Sequence, residues 1–228
     1  MVNAFRSIWQ TLYPYGIFRA DRRTVLTGNG EKPVAYLTFD DGPIPEVTPL
    51  ILAILRRYGA KAAFFMVGEN IDKHPEVFEA VVRDGHTVAN HTYNHLKGFH
   101  CSTVGYLVNV AKCQEAIERH WSCLAPVPNR SSNPHLYRPP YGKATFLQRR
   151  ALSRMGYKIV FWDILTRDYS PKVTPEQILA KVKRQIRPGA IINFHDSLKS
   201  APRTPEILPA VIEYLYSQGY ELLPLGID

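Results

Sequence analysis

The chain has 228 residues, of which 45% are hydrophobic and 21% are charged, so it is long enough to bury a sizeable core and is neither a disordered nor a membrane-spanning chain. Its net charge of +8 comes from scattered basic residues without a nucleic-acid-binding motif, which argues against nucleic acid as a partner. The three cysteines cannot close a disulfide framework and lack the Cys-x-x-Cys spacing of zinc or redox sites, so we expect buried free thiols.

Residues 1–32 are predicted to form an N-terminal arm ahead of one domain over residues 33–228. Residues 4–13 place apolar side chains on one helical face, which predicts a short amphipathic helix that packs against the domain. The alternative is weak peripheral contact with a membrane surface. No basic segment followed by an apolar run and a cleavage site is seen, so we expect a cytoplasmic or membrane-peripheral protein.

Strands and helices alternate along the rest of the chain. Apolar, β-favouring runs predict strands over 34–39, 62–67, 86–89, 137–138, 158–162, 190–194 and 220–225. Helical periodicity, capping residues and glycine stops predict helices up to residue 58, over 74–83, 103–121 and 145–155, and from 174 to 188 and 204 to 219. This alternation predicts a parallel α/β fold, in which chemistry gathers at the carboxyl ends of the strands.

The first strand ends in adjacent carboxylates, Asp40 and Asp41, followed by a Gly-Pro turn. Neighbouring side chains that leave a strand can point in different directions, so one carboxylate can bind a metal ion while the other faces the water on that ion. The alternative is a polar turn, since Asp, Gly and Pro are all common turn formers.

Two histidines, His91 and His95, follow the strand predicted over 86–89. Histidines four residues apart lie on one face of a helical turn, a spacing suited to sharing one zinc ion. The alternative is a pair of histidines with structural roles only.

Three further polar segments follow predicted strands. In residues 137–142, two prolines stiffen a loop that can present Arg138 and a backbone N–H in fixed positions, although a simple proline-rich connector is the alternative. Residues 162–169 follow the next strand. His195 comes directly after a buried-type strand and is a candidate general acid whose pKa a nearby carboxylate could adjust, the alternative being a structural histidine.

In order and spacing, these five segments resemble the five motifs of the polysaccharide deacetylases, carbohydrate esterase family 4, over roughly residues 33–225. The resemblance implies a distorted, incomplete (β/α) barrel. It also implies a metal-dependent hydrolase that removes N-acetyl groups from N-acetylglucosamine units in peptidoglycan, chitin-like oligomers or a lipid-linked sugar. The alternatives are a metal-dependent phosphoesterase, which would more often want extra carboxylates for a second ion, and a non-catalytic carbohydrate-binding member of the fold.

Carried over residue by residue, the resemblance implies one divalent ion, usually zinc, held by Asp41, His91 and His95. Catalytic roles are implied for five residues: Asp40 as the base, Arg138 holding Asp40, the Tyr141 N–H binding the oxyanion, His195 as the general acid and Asp168 tuning His195. Tyr169 and Asn193 depart from the family pattern, which has tryptophan and leucine there, at positions that line the pocket for the acetyl methyl group. A more polar pocket and a different acyl group or sugar are therefore expected.

Overall fold

A largely parallel sheet forms the centre of the protein. The computed structural model describes residues 17–18, 24–27, 30–124 and 135–225, so the helix predicted over 4–13 lies outside the described residues. The strands are β1 (Ile17–Phe18), β2 (Thr24–Thr27), β3 (Gly30–Asp40), β4 (Ala62–Met66), β5 (Thr87–Asn90), β6 (Leu136–Tyr137), β7 (Lys158–Val160), β8 (Ile164–Leu165), β9 (Ala190–His195) and β10 (Glu221–Leu222).

The sheet order places β3 near its middle. The strands run in the order β1-β7-β6-β5-β4-β3-β9-β8, and β2 and β10 also pair with β3. Only the β2–β3 pair is antiparallel among the described pairs. Because the path from β1 to β8 does not close within the described strands, the sheet is open, and the carboxyl ends of its parallel strands share one edge.

Helices follow most of the strands, as the alternation predicts. They are α1 (Thr48–Tyr58), α2 (Gly68–Lys73), α3 (Pro75–Arg83), α4 (Thr103–Ser122), α5 (Phe146–Arg154), α6 (Pro175–Gln185) and α7 (Thr204–Ser217). The capping box that predicts the start of α6 is present, with the Thr174 hydroxyl accepting from the Gln177 N–H. Gly59 ends α1 with a φ of 62°, a value that glycine adopts without steric cost.

The side chains of β3 and β4 alternate between two apolar clusters on opposite faces of the sheet. Leu37, Phe39 and Phe64 pack in the larger cluster, which also takes residues from α1 and α7. Tyr36 and Phe65 belong to a smaller cluster on the other face. Since strand side chains alternate with a period of two, Thr38 and Asp40 share this second face with Tyr36, and the polar site is built there.

Several predicted boundaries differ from the structure. The strand predicted over 158–162 ends at Val160, and a separate strand, β8, pairs with the far side of β9. The six-residue helix α2 is not predicted by the sequence, and the last strand covers two residues rather than six. All three cysteines are free, as expected, but only Cys113 is buried, so the expectation for Cys101 and Cys123 is wrong. None of the described helices combines the length and apolar character needed to cross a bilayer.

Candidate active site

The strand ends bring four of the predicted segments together. Asp40 at the end of β3 is in register with His195 at the end of β9 and with Phe65 of β4. On the other side of β4, Asn90 of β5 pairs with Tyr137 of β6, and these two residues immediately precede His91 and Arg138. Residues that are up to 155 positions apart in the sequence therefore meet at one edge of the sheet.

Three side chains of types that commonly bind metal ions lie close together at this edge of the sheet. Asp41 Oδ1 lies 3.1 Å from His95 Nε2 and 3.6 Å from His91 Nε2. One ligand atom from each residue lies within 4.8 Å of the others. The His91 Nδ1 is 2.8 Å from the Arg138 carbonyl oxygen, which can only accept, so Nδ1 carries the proton and the Nε2 lone pair faces Asp41. Two imidazoles and one carboxylate arranged in this way fit a divalent ion such as zinc.

The electrostatics of this cluster favour an ionised carboxylate. Burial raises the pKa of Asp41, but the neighbouring imidazoles of His91 and His95 and the charge of His195 outweigh burial and hold this pKa well below its usual value. A carboxylate that stays ionised is the form that a cation requires.

The histidines reach this arrangement from a loop, so the predicted helical turn is wrong. Residues 91–97 are not helical, and Thr92 and His95 have φ values of 66° and 56°. Side chains hold the loop instead: Asn90 Oδ1 accepts from the Thr92 N–H, and the Thr92 hydroxyl accepts from the Leu96 N–H, each at 2.9 Å. The ligand spacing is kept, but the loop supplies the convergence that a helix was expected to give.

Asp40 is enclosed by a network of buried polar groups. The residue is 3% exposed, and Arg138 Nη1 donates to Asp40 Oδ1 at 2.6 Å. The Arg138 guanidinium lies 3.9 Å from the centre of the Phe65 ring, and its Nε donates to the Val160 carbonyl at 3.2 Å. Burial lowers the pKa of Arg138, while the charge of Asp40 opposes that shift. The guanidinium is thus held by several contacts and in turn holds the Oδ1 atom of Asp40.

Asn193 is part of this network rather than open to a pocket. Its side chain is fully buried, and its Nδ2 donates to Asp40 Oδ2 at 2.9 Å. Tyr169, the other departure from the family pattern, is 38% exposed and packs edge-on against the His195 ring with 4.8 Å between ring centres. Of these two residues, the structure leaves only Tyr169 exposed beside the site.

His195, which is partly exposed, forms a hydrogen-bonded pair with the buried Asp168. The His195 Nδ1 lies 2.8 Å from Asp168 Oδ1, and Asp168 Oδ2 accepts from the His195 backbone N–H at 2.7 Å and from the Thr204 hydroxyl at 2.6 Å. Burial lowers the pKa of His195, but the hydrogen bond and charge of Asp168 outweigh it, with smaller contributions from Asp40 and Asp41, and raise this pKa to about 9. The ring is therefore protonated at neutral pH.

Tyr141 places a backbone donor next to the histidine ligands. Its φ is 59°, and its ring lies 4.6 Å from the His95 ring, centre to centre. The Tyr141 N–H donates to no acceptor among the described residues, whereas the N–H groups of Gly142 and Lys143 donate to the carbonyls of the preceding prolines. A fixed N–H without a partner can serve as an oxyanion donor.

Asp196 is a site residue that the sequence reasoning missed. It is fully buried, its Oδ1 accepts from the Gly42 N–H at 2.8 Å, and its Oδ2 accepts from the Thr48 hydroxyl at 2.7 Å. A Cβ on Gly42 would lie 1.9 Å from Asp196 Oδ2, so only glycine allows this approach. Burial raises the pKa of Asp196 to about 7, although the two hydrogen bonds oppose the shift. Asp196 anchors the turn that follows Asp41. The sequence feature that could have identified it is its position directly after His195.

Comparison with known proteins gives a consistent set of matches. The model of the polysaccharide deacetylase family matches residues 27–160. A peptidoglycan-N-acetylglucosamine deacetylase of Bacillus cereus is 32% identical over 201 residues, which cover 87% of this chain and 88% of the relative. A chitooligosaccharide deacetylase of Bradyrhizobium sp. is 33% identical over 218 residues, which cover 90% of this chain and 94% of the relative.

A solved structure gives the same result for the fold. The Bc1960 peptidoglycan N-acetylglucosamine deacetylase, in complex with 4-naphthalen-1-yl-N-oxidanyl-benzamide, matches with a TM-score of 0.81 and 27% sequence identity, over 95% of this chain and 94% of that chain. This match confirms the predicted α/β fold, a distorted and incomplete (β/α) barrel.

Proposed function

We propose, since the chain belongs to the polysaccharide deacetylase family, that it hydrolyses the N-acetyl groups of N-acetylglucosamine units in a glycan with the help of a divalent metal ion. The observation that carries the proposal is one shared sheet edge, where the Asp41, His91 and His95 cluster lies beside the buried Asp40 carboxylate and a histidine paired with Asp168. The named activities of the relatives support peptidoglycan fragments and chitin-like oligomers as the substrates to test first.

Asp41, His91 and His95 would hold the ion, and their two imidazoles and one carboxylate favour zinc. When bound, the ion would supply Lewis acidity, which polarises an amide carbonyl and makes water easier to deprotonate. The hydrogen bond from His91 to the Arg138 carbonyl keeps the Nε2 lone pair available for this role.

Asp40 is the base in this proposal. Arg138 holds its carboxylate at the end of β3, directly before Asp41, one of the residues that would hold the ion. Asp40 takes one proton from a water molecule as the oxygen of that water attacks the amide carbon. The Tyr141 N–H, which has no other acceptor among the described residues, donates to the oxyanion that forms.

His195 is the general acid. Its Nδ1 faces Asp168, so its Nε2 is the nitrogen available to donate a proton to the departing sugar nitrogen. The raised pKa of about 9 keeps that proton in place at neutral pH. The carbon–nitrogen bond then breaks, and the products are acetate and a free amine on the sugar.

Acetate release from N-acetylglucosamine oligomers of increasing length and from peptidoglycan fragments tests the proposal. We expect release by the metal-loaded protein, loss of release on chelation and recovery on adding zinc back. The same preparation is assayed on generic phosphate esters, because a phosphoesterase could use a similar set of side chains. Phosphate release without acetate release, or neither activity in metal-loaded protein, would overturn the proposal.

A further inference from the structure

We infer that Asn193 is a positioning residue that fixes the orientation of the Asp40 carboxylate through a hydrogen bond to its second oxygen. This inference rests on the proposed function, because it concerns the base of that reaction. It assigns a role to a residue at which the chain departs from the pattern that its family resemblance implies.

Both polar atoms of the Asn193 side chain form hydrogen bonds within the buried network. Its Nδ2 donates to Asp40 Oδ2 at 2.9 Å, and its Oδ1 lies 2.5 Å from Arg138 Nη1 and 3.0 Å from the Thr38 hydroxyl. Its backbone carbonyl accepts from both the N–H and the hydroxyl of Thr166, at 3.1 and 2.7 Å. The side chain has no exposed surface with which it could contact a substrate.

The neighbours of the amide determine which way it points. Arg138 can only donate, so the amide atom that faces it must be the oxygen, and an ionised Asp40 can only accept, so the atom that faces it must be the nitrogen. Both neighbours require the same orientation. In the reversed orientation, the amide nitrogen would face the Arg138 donor and the amide oxygen would face the Asp40 acceptor, so both hydrogen bonds would be lost.

Two contacts control the carboxylate in a way that one cannot. Arg138 fixes Oδ1, but a carboxylate held at one oxygen can still rotate about the bond that carries it. The Asn193 Nδ2 holds Oδ2 and so sets the plane of the group. Each carboxylate oxygen has a second lone pair, so Oδ2 keeps a site for the proton that Asp40 takes from water. A leucine at position 193 would fill a similar volume without providing the donor.

The test is Asn193→Leu, assayed on the best glycan substrate of the wild type. Because Asn193 is buried away from solvent, we expect kcat to fall about 10-fold or more while KM stays within about 2-fold and the metal content is unchanged. Thr38→Val is the matched control, because Thr38 contacts Arg138 and Asn193 but makes no hydrogen bond to Asp40 among the described contacts. Its kcat should change by less than about 3-fold.

A double-mutant comparison separates positioning from general destabilisation. If Asn193 acts through Asp40, Asn193→Leu should cause no further loss in an Asp40→Asn background. A loss of the same factor in both backgrounds, or a Thr38→Val loss as large as that of Asn193→Leu, would overturn the inference. Asn193→Ala, which removes the donor without adding bulk, replaces Asn193→Leu if the latter fails to fold.

Crystal structures of the wild type and of Asn193→Leu make this test independent of the proposed function. The expected result is a carboxylate at position 40 that keeps its contact with Arg138 but rotates out of its original plane. An unmoved carboxylate would overturn the inference even in a protein with full activity. Conversely, a wild type that releases no acetate from any glycan would refute the proposed function, while the crystal structures would still decide the role of Asn193.

Discussion

Replacing Asp168 by asparagine should move the alkaline limb of the activity profile toward neutral pH. In the structure the Asp168 carboxylate accepts from the His195 ring at 2.8 Å and from the His195 backbone N–H at 2.7 Å. Burial alone lowers the pKa of His195, and Asp168 is the main cause that raises it to about 9. The proton-bearing ring is the active form in the proposed mechanism, so activity is lost as pH rises through this pKa.

The size of the shift follows from the two pKa values. Moving a histidine from its ordinary pKa of about 6.5 to about 9 corresponds to roughly 3 kcal/mol in favour of the protonated ring. Asparagine removes the charge that supplies most of this energy but keeps the size of the side chain. We expect the alkaline limb to fall by about 2 pH units, so that activity at about pH 8 drops roughly 10-fold while activity near pH 6 changes less.

Rates of acetate release between about pH 5 and about pH 10 measure this limb, with circular dichroism and metal content followed at each pH. Asp163→Asn is the matched control. Asp163 lies in the same segment but contacts Arg187 and the Ile191 N–H rather than His195, so this substitution removes an equal charge away from the His195 ring. An unmoved limb in folded, metal-loaded Asp168→Asn, or an equal shift in Asp163→Asn, would refute the reasoning.

Three more predictions concern Asp40, the metal ligands and a buried histidine. Asp40→Asn should lower kcat about 100-fold with normal metal content, whereas Asp41→Asn should lose metal. Kinetics and metal analysis of both variants measure this, and equal behaviour of the two would contradict these roles. The His91→Ala, His95→Ala double variant should hold no tight metal, and one full equivalent by mass spectrometry would exclude this site. Burial lowers the pKa of His86 to about 3, so as pH falls the unfolded chain binds a proton before the folded chain does. The free energy of unfolding should therefore decrease below about pH 6.5, by up to about 1.4 kcal/mol per pH unit. His86→Asn should flatten that decline in urea titrations, and an unchanged slope would count against it.

The sequence predicts the location of the site because strand alternation is a local signal. Each candidate segment follows an apolar run, and a parallel sheet puts all such ends on one edge. The same periodicity of two puts Thr38 and Asp40 on one face of β3 and Asn193 and His195 on one face of β9. The register between these strands is not local. Only that register, which pairs Thr38 with Asn193, shows that the asparagine faces the base rather than a pocket.

Elements without a strong local pattern were missed for a related reason. The strand β8 has two residues, too few for a period of two to appear, and it forms because its backbone pairs with β9. The helix α2 begins with glycine, a poor helix former, and lies beside α4 in the folded chain. Tertiary contacts decide both elements, and a single sequence does not display them.

Left-handed backbone conformations explain why the helical turn predicted at His91 and His95 is wrong. Within the described ranges, the non-glycine residues with φ in the left-handed region all lie in loops at the carboxyl ends of strands: Asp41, Thr92, His95, Tyr141 and Arg167. Such a conformation costs on the order of 1–3 kcal/mol for a residue with a Cβ, so neighbouring groups must hold it. The Asn70 amide donates to the Asp41 carbonyl at 2.8 Å, and Asn90 holds Thr92. Glycine at position 41 or 95 would relax this strain but remove a ligand, so the chain keeps the costly backbone where the chemistry requires the side chain.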